Sequence, residues 1–203
     1  MKWKKKGCQR RKIECAYIFH KTTGQINCVV SIVSVFAVSL VMLACVTVSG
    51  FMITGAYVED ALAASNLASA LIDIEELGRT GCIRIKDKEK AYAIYKEALA
   101  INLQLDEDGR SFQKELLEGA VKVQEYIIYN VSNEDVEMTV FGEDGCMEYI
   151  HWGKVGEVYT PDDVLVETVT IYSKISFAVK GFGNQYINVE KENSVDVKRN
   201  ERK

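Results

Sequence analysis

Between Lys21 and Glu59 there is no charged side chain for 37 residues, and between Gln25 and Leu77 there is no proline. The first absence excludes an ordinary solvated surface for that stretch, and the second removes the residue that breaks helices. Histidine is nearly absent as well: His20 and His151 are the only two, and neither they nor Cys8 and Cys15 fall at metal-ligand spacing. No glycine-rich phosphate loop and no nucleophile with a histidine partner is recognisable. Asp106, Glu107 and Asp108 lack the calcium-loop pattern, because Gly109 comes too early and no bidentate glutamate follows. Glu148 and Glu167 sit at polar phases of their strands, where exposed glutamate is the default. Asn130-Val131-Ser132 matches a glycosylation sequon. We therefore expect no enzyme activity, no catalytic residues, no cofactor and no metal.

What is present is a membrane-insertion pattern. Ile26 to Tyr57 spans 32 residues, about 48 Å as a helix, whereas the hydrocarbon core of a bilayer is about 30 Å thick. Such a helix tilts, or its second half leaves the lipid and becomes the spine of the following domain. Residues 1–24 hold eight Lys or Arg against Glu14, a net charge of +7, so the total of −4 leaves −11 for the rest. Basic flanks are retained in the cytoplasm. The expectation is a cytoplasmic leader (1–24), a transmembrane helix (25–57) and an extracytoplasmic α+β domain (58–203) in the cell membrane. The basic head has membrane lipid as its neighbour rather than nucleic acid. The apolar run is far longer than that of a secretory signal, and Thr54-Gly55-Ala56 is a poor cleavage site.

The cysteines sort by compartment: Cys8 and Cys15 inside, Cys28 and Cys45 in the apolar helix, and Cys82 and Cys146 outside. The last two either form one disulfide, closing a loop of about 64 residues with about 4 kcal/mol of stabilisation, or remain two buried thiols.

Along the chain, the lack of a breaker predicts one helix over Gln25–Leu77, capped by Gly78. Leu67, Leu71 and Ile74 would face the sheet, and Ala61, Ala64, Ser65 and Ala68 would form a small-residue face. A second helix runs from its N-cap Asp87 to about Leu105, with Ala91, Ile94, Tyr95, Ala98 and Ile101 in phase. A short turn follows Ser111 with Phe112 and Leu116 inward. The period then becomes two: Val121, Val123, Ile127, Tyr129 and Val131; then Val136, Met138 and Val140; then Val169, Ile171, Ile175, Phe177 and Val179. Glu143-Asp144-Gly145 is a hairpin turn, as is Gly181-Phe182-Gly183-Asn184, and residues 191–203 read as a frayed or edge segment. The fold class is α+β: a long helix, a shorter one and about five antiparallel strands. The tyrosines of this region are read as cross-strand packing in preference to a partner- or carbohydrate-binding face.

A basic leader ending in Gly24, followed by Gln25-Ile26-Asn27 and an apolar helix that leads into a sheet domain, resembles the type IV pilin superfamily. TGQINCVVSIVSVFAVSL resembles the start of TadE-like minor pilins or pseudopilins of Tad/Flp-type pilus assembly systems. TIYSKISFAVKGFGNQYINVEKENSVDV resembles the strand-rich end of small pilus-assembly proteins of Gram-positive bacteria. The resemblance implies peptidase cleavage after Gly24, a new N-terminus at Gln25 and packing of the helix against other pilin-like subunits or assembly proteins. The fifth mature residue is glutamate in most pilins and Val29 here, which removes a carboxylate that could neutralise a neighbour's terminal ammonium in lipid. That substitution points to a minor or initiating role, or to an uncleaved anchor. Small residues such as Ser31, Ser34 and Ala37 would favour helix contacts in a plain bitopic protein too, whose outer domain would be an interaction or sensory module.

Overall fold

A computed structural model of the chain describes residues 6–113, 117–181 and 185–198, with side chains from Asn27 onwards. The chain divides into two units, Met1–Ser49 and Gly50–Lys203. Among the described residues three helices, α1 (Lys6–Ser69), α2 (Ile74–Thr80) and α3 (Lys88–Asn102), precede five strands: β1 (Glu118–Ser132), β2 (Asp135–Phe141), β3 (Met147–Lys154), β4 (Val169–Lys180) and β5 (Tyr186–Val197). The sheet is antiparallel throughout, in the order β3-β2-β1-β4-β5. The α+β architecture expected from the pattern is the architecture found.

α1 ends at Ser69 rather than running to Leu77. Asp73 terminates the run, because its carboxylate accepts from the N–H groups of Glu75 and Glu76 and so starts a new helix; Ile72 is drawn into a bridge with Ile85. The left-handed cap is Gly81, at φ 75°, and not Gly78. The buried stripe of α1 also differs from the expected one. Within the folded unit, Thr54, Val58, Ala61, Leu62, Ser65, Asn66 and Ser69 face inward, whereas Leu67 is 61% exposed and Ile74 80%. Small side chains let the helix approach, and the polar ones find partners. Asn66 Nδ2 donates to the Asn193 carbonyl at 3.1 Å, and Asn102 Nδ2 donates to Ser65 Oγ at 3.1 Å.

α3 begins at its Asp87 cap as expected. Its buried residues are Ala91, Tyr92, Tyr95 and Leu99, while Ile101 is exposed. Tyr92, Tyr95, Tyr126 and Phe141 form an aromatic layer between α3 and the sheet, with Tyr92 stacked on Phe141 at 4.8 Å and Tyr95 against Tyr126 at 4.6 Å. Phe112, expected inward, is exposed, and Leu116 lies outside the described residues.

Register shifts in β1 between Glu118 and Lys122 and between Val123 and Glu125 reset the alternation. Val121 and Val123 thus join the helix-side core, with Tyr126 and Ile128, whereas Ile127, Tyr129 and Val131 point to the opposite face. An extra residue in one strand flips every side chain beyond it, so one uniform face across β1 was not attainable. On that second face Ile127, Tyr129, Val136, Val140 and Tyr172 are covered by Val155, Val158 and Val166 of the β3–β4 connection. The Val169–Val179 stripe of β4 packs on the helices as expected. β5 pairs with β4 through Val197, so residues 191–197 form an edge strand rather than a frayed tail.

Candidate functional site

The membrane-spanning candidate belongs to α1. α1 is long and apolar enough over Asn27–Ser69 to cross a bilayer, and among Asn27–Ser49 every side chain but Thr47 is exposed. Three of its hydroxyls are satisfied within the helix: Ser34 Oγ donates to the Val30 carbonyl at 2.8 Å, Ser39 Oγ to Val35 at 2.9 Å and Thr47 Oγ1 to Leu43 at 3.0 Å. This back-bonding lets serine and threonine sit in hydrocarbon without an orphaned donor. The features agree with a single-pass membrane protein. Gly24 and Gln25 fall on the helical backbone of α1, and their side chains lie outside the described residues. Val29 is exposed, and Cys28 and Cys45 are exposed free thiols.

In the folded unit, Cys82 follows α2 and Cys146 closes the β2–β3 turn; both are exposed free thiols, and no bridge joins them. The turn itself is built as its sequence suggests. Gly145, at φ 75°, donates to the Gly142 carbonyl at 3.0 Å, and the Asp144 carboxylate accepts from the Cys146 N–H at 2.9 Å. A side chain at Gly145 would also meet the Tyr92 ring.

The acidic turn at 106–108 is self-contained. Asp106 Oδ1 accepts from the N–H groups of Asp108 at 3.0 Å and Arg110 at 2.8 Å, which occupies the group as a turn cap. Among the described residues no three His, Cys, Asp or Glu side chains converge in a way that could hold a metal ion. Asn130 is 2% exposed, with its Oδ1 accepting from the Ile85 N–H and its Nδ2 donating to the Ile85 carbonyl, both at 2.9 Å. The sequon asparagine is thus a structural clamp. His151, Glu148 and Glu167 are exposed and are not brought together by any hydrogen bond among the described residues.

The charged group that pattern reading missed is Glu137. Its carboxylate, nearly buried on the helix side of β2, meets Arg84 Nη2 at 3.0 Å and also Lys88 Nζ. Burial pushes its pKa up, but the hydrogen bonds and charges of Lys88 and Arg84 overcome that and hold it below the ordinary glutamate value. Residues 84, 88 and 137 lie on three separate segments, so no local motif announces them. Beside this cluster, Lys86, Asp87, Lys88, Glu89, Met147 and Ile150 line an open depression. On the opposite sheet face, Glu125 is half-buried near Glu148 and Glu192. Burial and these like charges raise its pKa against the opposing pull of Lys174, whose ammonium bonds Glu190 at 2.7 Å.

Of the tyrosines, Tyr126, Tyr129 and Tyr172 are core residues, whereas Tyr149, Tyr159 and Tyr186 are exposed. β3, an edge strand, also exposes Ile150 and Trp152. Comparison of the chain with protein-family models, curated proteins and solved structures gives no match.

Proposed function

We propose that this is a non-enzymatic, membrane-anchored subunit of a pilus- or secretion-type assembly, similar to the TadE-like minor pilins of Gram-positive bacteria. Its N-terminus would be cytoplasmic and its sheet domain extracytoplasmic. One observation carries the reading: the element that holds the apolar run also supplies the core helix of the folded unit. Thr54, Val58, Leu62 and Ser69 of α1 are buried there. A sensor on a tether needs no such use of its anchor, whereas a pilin-like subunit needs a spine helix that belongs to both environments. The basic leader and the Gly24-Gln25 junction supply the processing signal, and Val29 in place of glutamate favours a minor or initiating role over a major polymerising one.

Mass spectrometry of the mature N-terminus from native membranes, with and without the host's prepilin peptidase, tests this. The expected product begins at Gln25 only when the peptidase is present. An intact leader in both strains would overturn the pilin-like reading and leave a permanently anchored bitopic protein whose outer domain binds a partner or ligand.

A further inference from the structure

The two edges of the sheet are finished differently. β5 carries Glu190, Lys191, Glu192 and Asp196 along its length, and charges of this kind deter edge-to-edge pairing. β3 has no charged residue between Glu148 and Lys154. Its Tyr149, Ile150, His151 and Trp152 are exposed on both faces, and among the described residues no strand pairs with its outer edge. The backbone of that edge can be assigned. The Val155 N–H donates to the Glu134 carbonyl at 2.9 Å, so Val155 turns its backbone towards β2. Backbone direction alternates along a strand, so Gly153, His151 and Tyr149 do the same, whereas Ile150, Trp152 and Lys154 turn theirs to the open edge. The Lys154 carbonyl is already used, since it accepts from the Glu157 N–H at 3.1 Å. Ile150 and Trp152 are left with free N–H and C=O groups facing outward.

We propose that β3 pairs antiparallel with β3 of a second copy of this chain, about a two-fold axis at His151, so that the two sheets become one. In that register Ile150 lies opposite Trp152 of the second copy, and the reverse by symmetry, which satisfies every backbone group that these two residues turn outward. An axis at Ile150 would set Trp152 against the register shift at Glu148, and an axis at Trp152 would set Ile150 against Lys154, whose carbonyl is taken. The pairing concerns the folded unit alone and depends neither on leader cleavage nor on filament assembly.

The side chains are self-complementary in the same register. Trp152 and Ile150 lie opposite Glu137 and Thr139 of β2, on the helix side, and Met147 lies opposite Phe141 on that side too. The indole of the second copy therefore comes down beside Ile150, at the depression lined by Ile150, Met147 and residues 86–89. α3 runs from Lys88, bonded to Glu137, to Tyr92, stacked on Phe141, and so from the level of Trp152 to that of Met147. Lys154 of the second copy, two residues past its Trp152 on the same face, comes level with Met147, where Glu89 lines the depression and offers a carboxylate. Symmetry makes each of these contacts twice. On the other face Tyr149 falls opposite Gly153 of the second copy, beside the Val158 side chain that covers that glycine.

Light scattering of the full chain in detergent micelles gives the polypeptide mass over a concentration series. A dimer is expected for the wild type and a monomer for Trp152→Ala, whose side chain is exposed and so dispensable for folding. A wild-type monomer throughout, or an undiminished dimer in Trp152→Ala, would overturn the proposal. The register is read in a full chain with its native cysteines replaced by serine. His151→Cys lies on the axis at a non-hydrogen-bonded pair, where facing side chains are closest, and should oxidise to a covalent dimer. Asn188→Cys, exposed on the opposite edge, should not. Ile150→Pro removes one outward N–H without touching the bonds to β2 and should abolish the His151→Cys cross-link. Equal cross-linking at Asn188→Cys, none at His151→Cys, or a yield unchanged by Ile150→Pro would each overturn the β3 pairing.

Discussion

Tyr126, in the middle of β1, donates its hydroxyl hydrogen to Ser69 Oγ at 2.9 Å, and Ser69 in turn donates to the Asn66 carbonyl at 2.7 Å. Both side chains are fully buried, so the last turn of α1 is tied to the sheet by a short polar relay inside an apolar core. Burial pushes the Tyr126 hydroxyl's pKa far up, which keeps it protonated and able to donate.

The relay is asymmetric to mutation. Tyr126→Phe removes one donor and leaves Ser69 bonded to Asn66, an expected loss of about 0.5–1.5 kcal/mol. Ser69→Ala strands the buried Tyr126 hydroxyl, and about 1–3 kcal/mol is expected. Urea titration of the two single variants and the double variant in detergent checks this; an equal cost for both single changes would contradict the relay.

Glu137→Gln leaves Arg84 and Lys88 without their carboxylate, and an unfolding free energy lower by about 1–3 kcal/mol is expected at pH 7. Because the folded pKa is depressed, the wild-type contribution is present above the unfolded value of about 4.3 and fades as pH falls through the folded one. Melting curves from pH 7 down to pH 3 should therefore converge for the two proteins.

Glu125→Gln has the opposite sign. Its pKa is raised in the folded protein, so the carboxyl favours folding while protonated and opposes it once pH rises through the folded value. The variant should melt at a higher temperature than wild type at pH 7, with the gain vanishing near pH 4. A lower Tm at pH 7 would place Glu125 in a favourable pair instead.

Asn130→Ala should cost about 2–3 kcal/mol, since it unpairs both the N–H and the carbonyl of buried Ile85. Hydrogen exchange offers a local readout: the Ile85 amide should lose protection even where global stability is restored by a ligand-free stabilising buffer.

How much of this was legible in advance varies with the range of the interaction. The Asp87 cap, the Asp144-Gly145 turn and the Val136–Val140 and Val169–Val179 stripes are local patterns, and each appears where its spacing placed it. The ion cluster at Glu137 was invisible, because Arg84 and Lys88 lie some fifty positions away and ordinary charged residues carry no mark of their partners.

The sequence by itself determined that one long uncharged helix would seek lipid and that the remainder would fold as helices on an antiparallel sheet. An unbroken apolar run and a change of period from helix to strand admit few alternatives. Only the tertiary structure decided which stripe of α1 is buried, where that helix stops and which way Val121 and Val123 point. Those outcomes depend on the bonds that Ser65, Asn66 and Ser69 make to Asn102, Asn193 and Tyr126, on the Ile72–Ile85 bridge, and on the register shifts of β1. Each is a contact between distant segments, and its free energy exists only once the chain has closed the loop between them.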